Sequence, residues 1–370
     1  MTERVLVAMS GGVDSSVAAA LLKERGFDLV GVTLHLWDAH GDQQVGRCCA
    51  PEDREDARRV CDQLAIPHYV IDERAAFTRE VVHPFVRSNA AGLTPSPCSG
   101  CNRQVKLARL VELADRWAAA GLATGHYARV ELDSTGMARL LRGRDSTKDQ
   151  SYFLYGVQQD VLRRMRFVLG DMTKHEARQH ALRLGLNNWN KPDSQQLCFV
   201  PDGKVSSFVR GRLEGPEADG DIVDTEGRRL GRHDGLSRFT VGQRRGLGIS
   251  GGKPRYVLRI LPATRTVVVG DEAGLYTKSL QATAATWLSP PPAEPFTAHV
   301  RVRHRHEPAG AVVTASARGF SVRFGVAQRA IAPGQAAVVY RGDEVLGGGT
   351  IVADTQPLPG PVRKASVACQ

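Results

Sequence analysis

Residues 10–16 read Ser-Gly-Gly-Val-Asp-Ser-Ser. They lie between an apolar run, Val5-Leu6-Val7-Ala8-Met9, and a helix-like run, Val17-Ala18-Ala19-Ala20-Leu21-Leu22. A strand, a loop of small residues and a helix start in immediate succession make a phosphate cradle. Gly11 and Gly12 let the backbone approach an anion and adopt positive φ. The helix that follows presents unpaired N–H groups and the positive end of its dipole. The loop lacks the Lys of the common nucleotide-binding P-loop. Asp14 is the residue to help hold Mg²⁺, and Ser10, Ser15 and Ser16 are the residues to bond phosphate oxygens. An ordinary strand-to-helix turn is the plain alternative, and seven matching residues in this context argue against it.

The loop also sets the fold class, because strand and helix keep alternating after it. Leu29 to Leu36 reads as a strand, Pro51 to Leu64 as a helix, His68 to Ile71 as a strand and Ala75 to Asn89 as a helix. A helix over Asn102 to Ala120 then leads into Leu122-Ala123-Thr124-Gly125. Such alternation predicts a parallel sheet covered on both faces, with ligands beyond the carboxyl ends of its strands. Helical periodicity returns from Gln158 to Leu186. From about Gly211 short apolar runs alternate with Gly- and Pro-rich turns, which is all-β spacing, and Ser289-Pro290-Pro291-Pro292 reads as a seam. The expectation is an α/β nucleotide domain with a parallel sheet over 1–205, a small β-rich middle domain over 206–285 and a C-terminal β-barrel over 286–370.

A chain of 370 residues is long enough for two or three domains. Its net charge of +10 favours a polyanionic partner. Basic residues gather from Arg139 to Arg183 and in Arg301-Val302-Arg303-His304-Arg305-His306, and charge alone leaves a solvated surface as an equal reading. The N-terminus shows no signal or transit pattern, and no apolar run reaches membrane-spanning length. Seven cysteines without a secretory signal argue against a structural disulfide framework. The expectation is a cytoplasmic protein with no membrane partner and with reduced thiols.

Cys101 lies in Pro95-Ser96-Pro97-Cys98-Ser99-Gly100-Cys101-Asn102, just before a helix, where the dipole favours the thiolate. Cys198 lies in Gln196-Leu197-Cys198-Phe199, at the end of the α/β region. Taken singly, each is compatible with plain core packing. Cys61 falls on the apolar face of its helix and reads as core. Cys48, Cys49 and Cys369 suggest no role, and His35, His40 and His68 show no ligand spacing.

These segments together resemble the tRNA-specific 2-thiouridylase family, within the enzymes that use a pyrophosphatase loop to cleave ATP between its α- and β-phosphates. The likeness runs nearly end to end. It covers the Ser10 loop, the Pro97 to Asn102 segment, Gly125-His126-Tyr127-Ala128, Lys148-Asp149-Gln150-Ser151-Tyr152-Phe153, the Cys198 segment, Gly242-Gln243-Arg244-Arg245-Gly246-Leu247-Gly248, and Pro333-Gly334-Gln335. The resemblance implies an adenine-nucleotide α-hydrolase-like first domain. ATP would be bound by Ala8, Met9, Ser10, Gly11, Gly12, Val13, Asp14 and Ser15 with Leu34 and Gly125. Ser96, Pro97 and Cys98 would lie against the target uridine, with His126 nearby. Lys148, Asp149, Gln150, Arg303, His304 and Gln335 would contact tRNA. Cys101 would be the nucleophile and Cys198 the persulfide carrier, charged by a sulfur-carrier or cysteine desulfurase relay protein. The two are expected to end as a disulfide.

Position 98 departs from the family, which commonly has Asp there. Cys98 with Cys101 and Cys198 suggests three thiolates around a [4Fe-4S] cluster with an open iron. Two further readings stay open: another pyrophosphatase-loop adenylating synthetase, and a tRNA-binding protein without catalysis.

Overall fold

The computed structural model describes residues 2–38, 51–193, 197–200, 203–249 and 253–353. Cys48, Cys49, His40, Gln196 and Cys369 lie outside the described residues. The first strands are β1 (Arg4–Ala8), β2 (Asp28–His35), β3 (His68–Asp72) and β4 (Gly121–Ala123). With β7 (Met165–Arg166) they form a sheet in the order β3-β2-β1-β4-β7, parallel at every pairing. Val5 and Val7 point into one apolar cluster and Leu6 into another, as alternate residues of a strand must. Helices α1 (Val13–Glu24) and α2 (Pro51–Gln63) cover the first face, the latter through Ala57, Val60 and Cys61. Cys61 is fully buried, and burial pushes its thiol up to about 12. It is core, as the sequence suggested.

Next along the chain come α3 (Arg74–Phe77), α4 (His83–Ala90), α5 (Pro97–Cys101) and α6 (Leu107–Arg116). Two π-helical segments, Thr78–Val82 and Asn102–Lys106, link them in pairs. Leu107, Leu110 and Leu113 of α6 cover the sheet's second face. The reading of one helical stretch from Gln158 to Leu186 is corrected. The segment is α7 (Gln159–Arg164), the edge strand β7, and α8 (Lys174–Arg183), because the sheet edge takes Met165 and Arg166 into parallel pairing with Leu122 and Ala123. Thr173 and Glu176 start α8 with a capping box.

After α9 (Val205–Arg210) come β8 (Gly220–Val223), β9 (Arg229–His233), β10 (Tyr256–Leu261) and β11 (Thr266–Gly270), paired as β10-β11-β8-β9. The barrel consists of β12 (Tyr276–Trp287), β13 (Phe296–Arg301), β14 (Ala309–Ser316), β15 (Gly319–Arg329), β16 (Ala336–Arg341) and β17 (Glu344–Ile351). It closes through β12–β17 pairing, which removes every free edge among these six strands. Ser289-Pro292 connects β12 to β13 within that one sheet.

The hairpin of β5 (Ala128–Leu132) and β6 (Ala138–Arg142), which the sequence reading missed, belongs to the first domain but extends the barrel sheet at Leu141↔Glu344. Leu140 of the hairpin shares a cluster with Leu6 of the parallel sheet and Tyr340 of the barrel. The first domain and the barrel therefore share a core. No helix of the described residues is long and apolar enough to cross a membrane.

Candidate active site

Strand order reverses direction between β1 and β4, so the switch point opens beyond Ala8 and Ala123. The Ser10–Ser16 loop and Gly125 meet there. Gly11 has φ +74 and Gly12 φ −84, so only the first uses glycine's left-handed freedom. A Cβ on Gly11 would sit 2.0 Å from the Asp53 carbonyl oxygen, and one on Gly125 would sit 2.6 Å from the Ser15 nitrogen. Helix α1 starts at Gly12 with no side-chain cap, which leaves first-turn amides open to an anion. The serine hydroxyls shape the loop: Ser15 and Ser16 Oγ both donate to the Gly12 carbonyl, and Ser15 Oγ accepts from the Ser10 amide. Asn188 Nδ2 and Lys191 Nζ donate to the Gly11 carbonyl from outside. This is a glycine-narrowed, donor-rich cradle, and it fits a nucleotide's phosphates. Asp14 beside it fits a Mg²⁺ held by one carboxylate and substrate phosphates.

The cation missing from the loop arrives from α8. Lys174 Nζ lies 2.7 Å from Asp14 Oδ1 and 2.8 Å from Asp193 Oδ1. Lys148 Nζ takes the other Asp193 oxygen at 2.7 Å. Burial alone would raise the Asp193 carboxyl, but hydrogen bonds from Lys148 and Lys174 hold it at about 2. Tyr127 Oη donates to Asp14 Oδ1 at 2.9 Å, and burial together with that carboxylate keeps its phenol protonated. Sequence reasoning missed Lys174, Asp193 and Tyr127 as site residues. The only signal was the absent P-loop Lys, which says that a cation must come from elsewhere without saying where.

Cys101 and Cys198 enter one apolar cluster with Phe77, Phe85, Phe199 and Leu34. Phe199 meets Phe85 edge-on at 5.1 Å. The expected dipole effect at Cys101 is corrected, because α5 starts at Pro97 after Ser96. Cys98 sits in the first turn and is exposed, whereas Cys101 is one turn further in and 5 % exposed. Among the described residues no three His, Cys, Asp or Glu side chains gather as a metal site. The arrangement of Cys98, Cys101 and Cys198 therefore does not fit the three-thiolate ligand set of an iron–sulfur cluster.

The barrel braces this helix. Its Pro333-Gly334-Gln335 turn accepts the Thr94 amide at the Pro333 carbonyl and donates Gln335 Nε2 to the Thr94 carbonyl, both at 2.8 Å. Ser96, Pro97 and Cys98 follow directly. Gln150 Oε1 accepts from the Tyr127 amide, so Lys148 and Gln150 flank the strand end that carries His126. His126 bonds Thr124 Oγ1 at 2.7 Å, and loss of solvation with Lys106 nearby pushes it down to about 3, so it stays neutral.

Asp149, expected at the RNA surface, has a side chain with no exposure and pairs with Arg301 at 2.9 Å. Arg303 Nη1 donates to the Arg329 and Ala330 carbonyls. His304 stacks on Phe153 at 4.4 Å. Much of the Arg139 to Arg183 charge is likewise neutralised internally: Arg139 pairs with Glu344, Arg144 with Glu176, Arg164 with Asp115 and Arg166 with Glu3. His35 bonds Asp38 and His68 bonds Thr33.

A phosphate loop at the switch point of a parallel sheet, followed by two β modules, defines a three-part chain built on a HUP-type nucleotide domain. Residues 3–202 match the family described as tRNA methyl transferase HUP domain, 206–271 its PRC-barrel domain, and 277–351 the aminomethyltransferase beta-barrel domain. The tRNA-specific 2-thiouridylase MnmA of Sorangium cellulosum is 51% identical over 357 residues, covering 95% of this chain and 92% of that protein. Those of Koribacter versatilis and Chloroflexus aggregans are 44% and 48% identical, covering 95% and 94% of this chain and 99% and 98% of their own. The chain belongs to the tRNA-specific 2-thiouridylase family.

Proposed function

We propose that this protein converts a uridine of tRNA, the wobble uridine, to 2-thiouridine at the expense of ATP. The observation that carries the reading is the meeting of Cys101 and Cys198 in one apolar cluster with Leu34, whose strand β2 adjoins the β1 strand leading into the phosphate cradle. A methyl-transfer reading would leave both the cradle and the two thiols without a task.

Uridine O2 is a poor leaving group and must be activated. Its attack on the ATP α-phosphate expels pyrophosphate and makes O2 part of a bound AMP ester. Loop amides, Ser10, Ser15 and Lys174 face the developing negative charge. Mg²⁺ held at Asp14 would add charge neutralisation. The terminal sulfur of a Cys198 persulfide then attacks C2, and AMP leaves with the oxygen. Cys101 thiolate attacks Cys198 Sγ, and the electrons of the broken S–S bond pass to the sulfur on C2. The products are 2-thiouridine and a Cys101–Cys198 disulfide, which an external dithiol must reduce. A sulfur-carrier or desulfurase relay protein reloads Cys198. The apolar walls keep water from the persulfide and the activated base.

Ser96, Pro97 and Cys98 lie against a flipped-out uridine, because its carbonyl cannot be reached inside a stack. Lys148, Gln150, Arg303, His304 and Gln335 support the RNA around it. Asp149 acts from behind, as the buried group that fixes Lys148 and Gln150.

Incubation with ATP, Mg²⁺, tRNA and a persulfide donor is expected to yield 2-thiouridine by nucleoside mass spectrometry, with pyrophosphate exchange that depends on tRNA. Exchange without tRNA and without thio-product would identify another adenylating synthetase; tRNA binding with no exchange would identify a non-catalytic binder.

Two further results test the cradle by equilibrium titration with ATP. Gly11→Ala puts a methyl group into the Asp53 carbonyl at positive φ and is expected to weaken ATP binding at least about 30-fold, a cost of about 2 kcal/mol. At Gly12 a Cβ would meet only Ser10 Oγ, at 3.5 Å. Gly12→Ala is therefore expected to stay within a few-fold of wild type, and equal effects at the two positions would contradict the geometry. Lys174→Met removes a charge-assisted contact of about 1.5–3 kcal/mol, or roughly 10- to 160-fold in affinity. Wild-type ATP affinity in this variant would remove Lys174 from the site.

A further inference from the structure

The Gly242-Gln243-Arg244-Arg245-Gly246-Leu247-Gly248 motif lies far along the chain from the cradle and has no part in the chemistry above. Its Arg244, Gly246, Leu247 and Gly248 line a cavity of about 280 Å³ in the middle domain, together with Lys253 and Arg255. No carboxylate among the described residues lines that cavity. Among the described residues, Arg244, Lys253 and Arg255 are in no ion pair, in contrast to the neutralised arginines of the Arg139 to Arg183 stretch. Three like charges facing one small space repel one another, and a bound anion relieves that cost.

The cup is also held in shape. The Gly242 amide donates to the Val257 carbonyl at 2.8 Å and the Val257 amide to the Gln243 carbonyl at 2.9 Å. That clamp fixes Arg244 and Arg255 on two facing chain segments. Gln243 closes the turn with its side chain, accepting from the Thr240 amide and donating to the Arg245 carbonyl. Gly246 and Gly248, at φ +73 and +68, bend the loop around the cavity.

Its position in the molecule names the kind of anion. A Cβ on Gly242 would lie 2.8 Å from the Ala330 Cβ of the barrel. The Ala330 carbonyl is one of the two that Arg303 holds. The cup therefore adjoins the part of the barrel that holds Arg303, next in the chain to His304, which bonds the Asp149 carbonyl of the first domain. We propose that Arg244, Lys253 and Arg255 bind backbone phosphodiesters of the tRNA, carrying the RNA-contact surface from Arg303 and His304 onto the middle domain. The proposal rests on the tRNA reading given above.

The test is binding of full-length tRNA to the intact protein across a salt series, for wild type, the double variant Arg244→Ala/Arg255→Ala, and Arg318→Ala as an exposed arginine elsewhere. The double variant is expected to bind about 10-fold more weakly near 0.1 M salt, with the slope of log K against log salt reduced by about 1 to 2. Arg318→Ala is expected to stay close to wild type, and ATP affinity to stay unchanged in all three. Unchanged tRNA binding in the double variant overturns the cup and leaves the enzyme reading intact. Equal weakening by Arg318→Ala reduces the effect to net charge and also overturns it. Loss of inorganic pyrophosphate binding with tRNA binding intact would make the cup a small-anion site instead. If wild type binds no tRNA, the functional reading falls and the cup with it.

Discussion

Cys101→Ser and Cys198→Ser are each expected to lower 2-thiouridine formation at least about a thousand-fold while leaving tRNA-dependent pyrophosphate exchange within a few-fold of wild type. The separation follows from where the groups sit. Phosphate activation belongs to the Ser10–Ser16 loop, Asp14 and Lys174, while both thiols lie in the aromatic cluster of Phe77, Phe85 and Phe199. Serine at either position keeps the volume and removes the sulfur. The hydroxyl cannot carry a persulfide at 198, and at 101 it is too weakly acidic to attack a disulfide bond.

The two variants should also stall at different points. Cys198→Ser never accepts sulfur, so a labelled persulfide donor leaves the protein unlabelled. Cys101→Ser accepts it and, given ATP and tRNA, accumulates RNA joined to Cys198 through a disulfide that a reductant releases. Cys98→Ala is expected to weaken tRNA use modestly and to stall at neither point, because Cys98 lies against the base but outside the cluster that holds the two thiols. Thio-product from Cys101→Ser at anything near the wild-type level would end the two-cysteine scheme.

Why the sequence revealed the cradle and not the network around it is a matter of range. Strand, glycine loop and helix are consecutive residues, and local rules of backbone freedom and dipole bind them together. The parallel sheet was legible for the same reason, since Val5-Leu6-Val7 and Leu29 onward are continuous apolar runs that only a sheet covered on both faces can bury. Lys174 reaches Asp14 across 160 residues, and nothing in its neighbourhood distinguishes it from the other basic residues of that stretch. Periodicity also ran through β7, because two residues of edge strand between short helices do not break an apolar pattern. The β5–β6 hairpin joins the barrel through β17, a strand about two hundred residues further along the chain. Composition said least at the basic clusters: counting Arg and Lys shows how many positive charges there are, but not how many meet Glu or Asp within the fold.

The buried pair of Asp149 and Arg301 shows what that internal neutralisation does for the site. Asp149 Oδ1 accepts from the Gly143 and Ser151 amides, and Oδ2 faces Arg301 at 2.9 Å and Arg142 at 3.5 Å. Arg301 spends its Nε on the His306 carbonyl. Asp149 has no exposed side-chain surface and Arg301 almost none, so removing one leaves the other charged and largely desolvated. Asp149→Ala and Arg301→Met are each expected to cost about 3–5 kcal/mol, and the double variant clearly less than the sum. Because the pair joins the first domain to the barrel, the loss should appear as an early step in urea unfolding and as faster proteolysis at the domain junction. Asp149→Asn, which can still accept the two amides, is expected to fall between wild type and Asp149→Ala. Additive single effects would mean the two charges do not act as a pair. The same substitutions should slow tRNA-dependent exchange, since Lys148 and Gln150, on either side of Asp149, hold Asp193 and Tyr127, and through them Lys174 and Asp14. The contact between two domains thus sets the geometry of a phosphate site that lies wholly in one of them.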